Sequence, residues 1–300
     1  MAKVQVLLAT YNGERYIKEQ IESILNQSYR ELEILIRDDG STDNTVKVIE
    51  AINDDRIILI QDQIKCGSPG LNFKRLLEVS EADYILFSDQ DDVWLEDKVA
   101  MTIDSLSKIE GPGLVYSDGI VVDEFGASIG LFTAEKSKKI KNLSDLIFFN
   151  GGFQGCSIGI NKELKIKISF EKNYWYMHDQ VVSFYAMCFG KIVYIDKPLF
   201  LYRQHGRNVL GHSHNISFSE LLSFRGRRVL IHDESKKFIY KFIANEKNNL
   251  SHCDLSTLNN FEKYLKSSWL GTFYCILTSN LTIYNSSVKL LIKNIIYKRS

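Results

Sequence analysis

The chain reads as an α/β protein with a mostly parallel, Rossmann-like sheet flanked by helices. Three observations predict this. Short apolar runs recur through the first 120 residues. Amphipathic segments separate them. Polar clusters follow three of the runs: "TYNGE" (10–14), "DDGSTD" (38–43) and "SDQDD" (88–92). Near-continuous apolar strands are expected when helices cover both sheet faces, and strand–helix alternation implies parallel crossovers.

"VQVLLA" (4–9) is the first expected strand. A helix follows, with Ile17, Ile21, Ile24 and Leu25 on one face. "EILIRD" (33–38) and "RIILIQD" (56–62) are further strands, and "NTVKVIEAI" (44–52) and "LNFKRLLEV" (71–79) are helices. "YILFSD" (84–89) is the fourth strand, with a helix from Leu95 to Ile109 after it. "GLVYSDGIVVD" (113–123) reads as one long strand or a pair, and residues 124–142 as a polar, basic loop. "HDQVVSFYAMCF" (178–189) is a helix with Val181, Val182, Tyr185 and Phe189 inward. "KIVYIDKPLFLYRQHG" (191–206) reads as two strands around a turn at Asp196-Lys197-Pro198. From Ser217 onward the pattern is helical. The expected division is an α/β domain over 1–215, with halves 1–110 and 111–215, and a helical region over 216–300.

With 37 basic and 37 acidic residues the formal net charge is zero, which argues against a nucleic-acid partner. The five cysteines form no CxxC pair and read as reduced thiols, mostly small core residues, of a cytosolic protein. No leader is expected from the short apolar start, and "WLGTFYCILTSNLTIY" holds too many polar residues for a spanning helix.

In open parallel sheets, ligands bind beyond the carboxyl ends of the strands. Each polar cluster alone can serve turns and caps: Ser41 or Asp43 capping a helix, Gly13 and Gly40 making tight turns. Three in register point to a shared pocket. Asp89 and Asp91 are hard oxygen donors suited to Mg2+ or Mn2+ beside a diphosphate.

"LLATYNGERYIKEQIESILNQSY", "ILIRDDGSTDNT", "FSDQDDVWLEDK" and "GKIVYIDKPLFLYRQHG" together resemble the family 2 glycosyltransferases of the GT-A fold. The resemblance is strongest to bacterial rhamnosyltransferases of cell-surface polysaccharide synthesis and covers residues 3 to 211. It implies that Thr10, Tyr11, Asn12 and Asp39 hold the nucleotide, with Glu14 beside them and Asn72 nearby. Asp89-Gln90-Asp91 becomes the family's DxD, with Asp91 the direct metal ligand and Asp89 at both metal and nucleotide. Asp179 becomes the general base, and Arg203 and His205 face the diphosphate, His205 also as a metal ligand.

The implied reaction is inverting transfer of a sugar, L-rhamnose in that branch, from a dTDP- or UDP-sugar to a saccharide hydroxyl. The implied setting is the cytoplasmic side of the membrane, with a free or lipid-linked acceptor. A UDP-hexose transferase of the same fold stays open. A haloacid-dehalogenase-type phosphatase with Asp89 as nucleophile accounts for "ILFSDQDDV" but not for the other clusters, and expects its DxD on the first strand. A nucleotidyltransferase wants more glycine after strand one, and a non-catalytic sugar- or nucleotide-binding module leaves Asp91 and Asp179 without a task.

Three further readings stay open. His205, His212 and His214 make a zinc cluster conceivable, without supporting cysteines. Trp94, Tyr174, Trp175 and Tyr176 suit sugar stacking or the core. The acid-free tail from Leu281, with Val288, Leu291, Ile292, Ile295 and Ile296 at helical spacing, suits an anionic membrane surface, the catalytic domain or a second subunit of a homo-oligomer.

Overall fold

The structure is a computed structural model that describes residues 2–149, 151–206 and 229–297. It divides into two compact units. The first comprises residues 1–135, 153–170 and 175–209, and the second 136–152, 171–174 and 210–300.

The first unit is built on one nine-stranded sheet. The strands are β1 (Val4–Thr10), β2 (Leu32–Asp38), β3 (Ile57–Ile60), β4 (Tyr84–Ser88), β5 (Val93–Trp94), β6 (Gly113–Val122), β7 (Ser128–Phe132), β8 (Ile158–Asn161) and β9 (Lys191–Arg203). Their order is β3-β2-β1-β4-β8-β6-β9-β5, with β7 on β6. β1 to β4 are mutually parallel, and β8 is antiparallel to both β4 and β6. β6 and β9 therefore run with the first four strands, while β5, β7 and β8 run against them.

Helices α1 (Ile17–Leu25), α2 (Thr45–Glu50), α3 (Pro69–Val79) and α4 (Lys98–Ser107) follow the first strands, and α6 (Lys162–Lys167) and α7 (His178–Phe189) complete the unit. Ile17, Ile21 and Ile24 of α1 bury against Val6, Leu8, Ile34 and Leu86. Leu7 and Leu35 point to the other face and are equally buried, so the inner strands are apolar at successive positions. Each buried Leu or Ile there contributes ~1.5–3 kcal/mol relative to exposure. α3 starts where Ser68 accepts from the Leu71 N–H and Pro69 occupies the first turn.

Three expectations change. Residues 128–132 are not loop; they pair antiparallel with the outer end of β6. The break at Asp196-Lys197-Pro198 is not a reversal. β9 continues beside β6 with a register shift opposite Ser117 and Asp118, so Pro198 sits in a bulge. Nor are the cysteines mostly core, because only Cys156 is buried.

The second unit holds α5 (Leu143–Phe149), α8 (Asp233–Glu246), α9 (His252–Lys266), α10 (Trp269–Thr278) and α11 (Ser287–Ile296). Phe148 meets the rings of Phe261 and Tyr264 edge-on. The Tyr264 hydroxyl donates to Asn294 Oδ1 at 2.6 Å, and Asn294 Nδ2 donates to Thr272 at 3.3 Å. Buried Asp145 accepts from Thr282 Oγ1 and the Asn285 N–H. No described helix is long and apolar enough to cross a membrane.

Candidate active site

Parallel pairing aligns the ends of β1, β2 and β4: Thr10 lies opposite Asp38, and Leu8 opposite Ser88. All three polar clusters therefore emerge at one sheet edge. Gln90, the middle residue of the DxD, ties two of them together. Its Oε1 accepts from Thr10 Oγ1 at 2.6 Å and the Tyr11 N–H at 2.9 Å, and its Nε2 donates to the Tyr11 carbonyl at 3.1 Å. A Cβ at Gly13 would lie 2.3 Å from Gln90 Oε1, so a side chain there would displace Gln90 from these bonds. Asn12 and Glu14 face the second cluster: Asn12 Oδ1 accepts from the Thr42 N–H, and Glu14 Oε2 from Asn44. The Tyr11 ring remains accessible, with Lys65 Nζ 5.4 Å from its centroid.

In the second cluster, Asp38 makes the turn, accepting from the Gly40 and Ser41 N–H groups. Asp39 is buried and accepts from Cys66 N–H at 2.6 Å and Gly67 N–H at 2.7 Å, which pins the 61–68 loop. Beneath it lies Arg37, fully buried. Its guanidinium donates to Asp62 at 2.9 and 3.0 Å, to Asn72 Oδ1 at 2.8 Å and to Asp39 at 3.3 Å, and it also reaches the Ile64 carbonyl. Asn72 Nδ2 donates to the Arg37 and Thr10 carbonyls. Both ends of the Asn72 amide are thus occupied inside the fold, where Asn72 joins β1 to β2. Arg37 had no distinguishing signature in the sequence.

The third cluster carries the acids. Asp91 Oδ2 lies 2.8 Å from His205 Nε2, whose ring stacks on Tyr16 at 5.0 Å. Asp92 is buried; its Oδ1 accepts from the Arg203 N–H at 3.2 Å, while Oδ2 has no hydrogen-bond partner. Ligand atoms of Asp89, Asp92 and Cys156 lie within 4.8 Å of one another. Burial, then the neighbouring Asp91 and Asp179 charges, raises the Asp89 carboxyl well above the usual range. Burial pushes Asp92 and the Cys156 thiol up as well, so Cys156 stays a thiol and offers a hard cation little. One cation lies within this group: Lys98, almost wholly buried, donates to the Cys156 carbonyl at 2.5 Å and sits 3.9 Å from the Trp94 ring centroid. Its burial lowers its own pKa. Crowded carboxylates held above their normal range, one with an orphaned oxygen, fit a divalent cation of the Mg2+ or Mn2+ type.

Arg203 is buried rather than presented to a ligand. Nε donates to the Asp91 carbonyl at 3.1 Å, Nη1 to the Glu124 carbonyl at 3.2 Å and Nη2 to Glu19 at 2.7 Å. It braces the turn that carries Asp91 and Asp92. Glu19, in the first turn of α1, was not singled out by the sequence.

Asp179 stands near the start of α7, and Oδ1 accepts from the Gln180 N–H at 2.6 Å. Burial raises its pKa to about 6, against the pull of backbone N–H groups of Gln180, Asp179 itself and Gly155. The preceding His178 is fully buried against Phe73 and Phe87, with neither ring nitrogen hydrogen-bonded, and burial lowers its pKa to about 3. A Cβ at Gly155 would lie 2.5 Å from His178 Nε2, so this contact demands glycine.

Among the aromatic candidates, Trp94 and Trp175 are core, the latter stacked on Phe170. Tyr174 bonds Glu234, and Tyr176 stays exposed. His212 and His214 lie outside the described residues.

A Glycosyl transferase family 2 model matches residues 5–153. The chain is also 36% identical over 225 residues to the dTDP-rhamnosyl transferase RfbG of Shigella flexneri, a match spanning 70% of this chain and 75% of that protein. The chain is a family 2 glycosyltransferase. Escherichia coli WfaP, a UDP-Glc:alpha-D-GlcNAc-diphosphoundecaprenol beta-1,3-glucosyltransferase, is 38% identical over 103 residues, 34% of this glycosyltransferase and 41% of WfaP. S. aureus TarS, solved with UDP-GlcNAc, shares the fold with TM-score 0.60 at 17% identity, over 98% of this chain and 89% of that one. The mannosyltransferase PcManGT of Pyrobaculum calidifontis, solved with GDP-Man and Mn2+, aligns with TM-score 0.57 at 14% identity, over 97% and 79%. These likenesses establish the GT-A-type fold. The phosphatase reading finds no support: the DxD follows the fourth strand in the chain, and the family match takes in all three clusters.

Proposed function

We propose that the enzyme transfers L-rhamnose from dTDP-rhamnose to a saccharide hydroxyl, with inversion at the anomeric carbon, in bacterial surface polysaccharide synthesis. The observation that carries this reading is the convergence of Asp89, the Asp91–His205 pair and Asp179 at the sheet edge that also presents Tyr11. The rhamnosyl donor is favoured over a UDP-hexose because similarity to RfbG runs over 225 residues, against 103 for WfaP.

Asp89, Asp91 and His205 hold the divalent cation in this reading, with the unpartnered Oδ2 of Asp92 available beside Asp89. When bound, the cation neutralises the donor diphosphate and the charge that builds on it as it leaves. Residues 10–14 and 38–43 shape the nucleotide pocket. Tyr11 offers its ring to the base, while Asp39 and Asn72 hold the pocket wall. Arg203 acts through the Asp91 turn rather than on phosphate. Asp179 takes the proton from the acceptor hydroxyl as that oxygen attacks the anomeric carbon opposite the departing diphosphate. A carboxylate near pKa 6 is ionised at neutral pH and more basic than an ordinary Asp. Residues 111–215 supply most of the acceptor side, and a lipid-linked acceptor, as in the name of WfaP, places the enzyme at the inner face of the membrane.

Ligand-detected NMR with dTDP-rhamnose, UDP-glucose and GDP-mannose, each with and without Mn2+, tests this. Saturation transfer to dTDP-rhamnose that requires Mn2+ supports the reading; preference for UDP-glucose or indifference to metal contradicts it.

A further inference from the structure

In the second unit, α10 (Trp269–Thr278) has the sequence WLGTFYCILT and carries no charged residue. A helix apolar on all sides is ordinarily buried. Here Leu270, Tyr274 and Leu277, at i, i+4 and i+7, are 73%, 70% and 67% exposed, and Trp269 beside them is 57% exposed. α11 (Ser287–Ile296) repeats the pattern, with Val288, Ile292 and Ile295 at 62%, 52% and 48%. The other side of each helix is buried, at Thr272 and Ile276 of α10 and at Leu290 and Asn294 of α11, and Asn294 donates to Thr272. Apolar exposure on this scale marks an interaction surface.

The sequence that carries these helices is one-sided in charge. From Lys263 to Ser300 there is no Asp or Glu, against Lys263, Lys266, Lys289, Lys293, Lys298 and Arg299. Lys263, Lys266 and Lys289 are exposed, although Lys266 is 3.9 Å from Glu262. Lys293 turns inward to the Phe148 carbonyl at 2.7 Å.

We infer that the exposed apolar stripes of α10 and α11 dock the enzyme on an anionic lipid bilayer. The stripes enter the interfacial region, Trp269 and Tyr274 sit at headgroup level, and the flanking lysines meet lipid phosphates. A second copy fits less well, since a two-fold contact would bring lysines of the same patch together. This adds an interaction surface to the transferase reading without resting on it.

Co-sedimentation of the full chain with phosphatidylcholine vesicles, alone or mixed with phosphatidylglycerol, tests the inference. Binding is expected to the mixed vesicles only, weakened about tenfold or more by raised salt and by Leu270→Ser/Leu277→Ser. Both substituted side chains are exposed, so the melting temperature and Mn2+-dependent nucleotide binding should be retained, and the salt dependence of the unaltered chain is a second readout. Three results overturn the proposal: no binding to either vesicle, equal binding to both, or binding indifferent to the double variant. A fourth, a dimer dissolved by that variant in the absence of vesicle binding, assigns the surface to a second copy.

Discussion

His205 Nε2 lies 2.8 Å from Asp91 Oδ2, across 114 positions of sequence. The contact joins the end of β9 to the turn after β4, and Tyr16 backs the imidazole. Arg203, two residues before His205, bonds the Asp91 carbonyl, so the same strand end holds both the carboxylate and the backbone of this residue.

Removing either partner should therefore cost metal-dependent ligand binding. For Asp91→Ala we expect loss of the stabilisation that a nucleoside diphosphate gives with Mn2+, read by thermal shift. His205→Ala should reduce it by about tenfold in apparent affinity. Because burial and the other acids hold Asp89 above the usual carboxylate range, protons compete with the ion. The Mn2+-induced shift should be larger near neutrality than at about pH 5.

Gln90 is expected to matter as much as the aspartates beside it. Gln90→Leu removes three hydrogen bonds to Thr10 and Tyr11 while roughly preserving side-chain volume. At ~0.5–1.5 kcal/mol each, their loss should lower folding stability, and the loosened Tyr11 turn should raise the donor Kd with smaller change in the turnover of bound donor. Isothermal titration and steady-state kinetics separate the two.

Asp179→Asn should leave donor binding intact and lower transfer by ~10²–10⁴. A base raised to about 6 must lose its proton to act. The turnover of the unaltered enzyme should thus fall tenfold per pH unit below that value and level off above it, in a profile recorded with saturating donor and metal.

Arg37 is a stability residue in this account. Its replacement by Met leaves the Asp39 and Asp62 carboxylates without their shared cation and Asn72 without its donor. Breaking a buried ionic network of this kind costs ~3–5 kcal/mol, to be measured by urea denaturation.

His178 gives a pH signature of opposite sense to that of a carboxylate with a raised pKa. Its folded pKa is lowered from 6.5 to about 3, so the unfolded chain binds the proton first. The stabilisation is whole above pH ~6.5 and is lost as pH falls from there toward about 3. In acid denaturation, His178→Phe should flatten this part of the curve relative to the unaltered chain.

The parallel core was legible in the sequence because strands buried on both faces must be apolar at successive positions, and β1 to β4 are. The DxD drew attention because like charges gathered at the tip of an apolar strand repel one another, whereas the YRQHG segment drew attention only through the family resemblance. What escaped was geometry set by partners distant in sequence. A basic residue near acids looks like a phosphate ligand, yet Arg203 is buried because Glu19 on α1 and the Glu124 carbonyl take up its donors. Gln90 occupies the variable place of its motif, and Lys98 is one lysine in an ordinary amphipathic helix until the fold puts it under Asp89 and Asp92. β7 was missed because its exposed residues carry no buried periodicity, and the continuity of β9 because a bulge at Pro198 resembles a turn.

The most direct test is anomalous diffraction at the manganese edge from crystals grown with Mn2+ and dTDP. One strong peak is expected between a carboxylate of Asp89 or Asp91 and the diphosphate, with the base of the nucleotide against Tyr11. A peak remote from these aspartates, or dTDP bound in that crevice with no manganese beside it, contradicts the account.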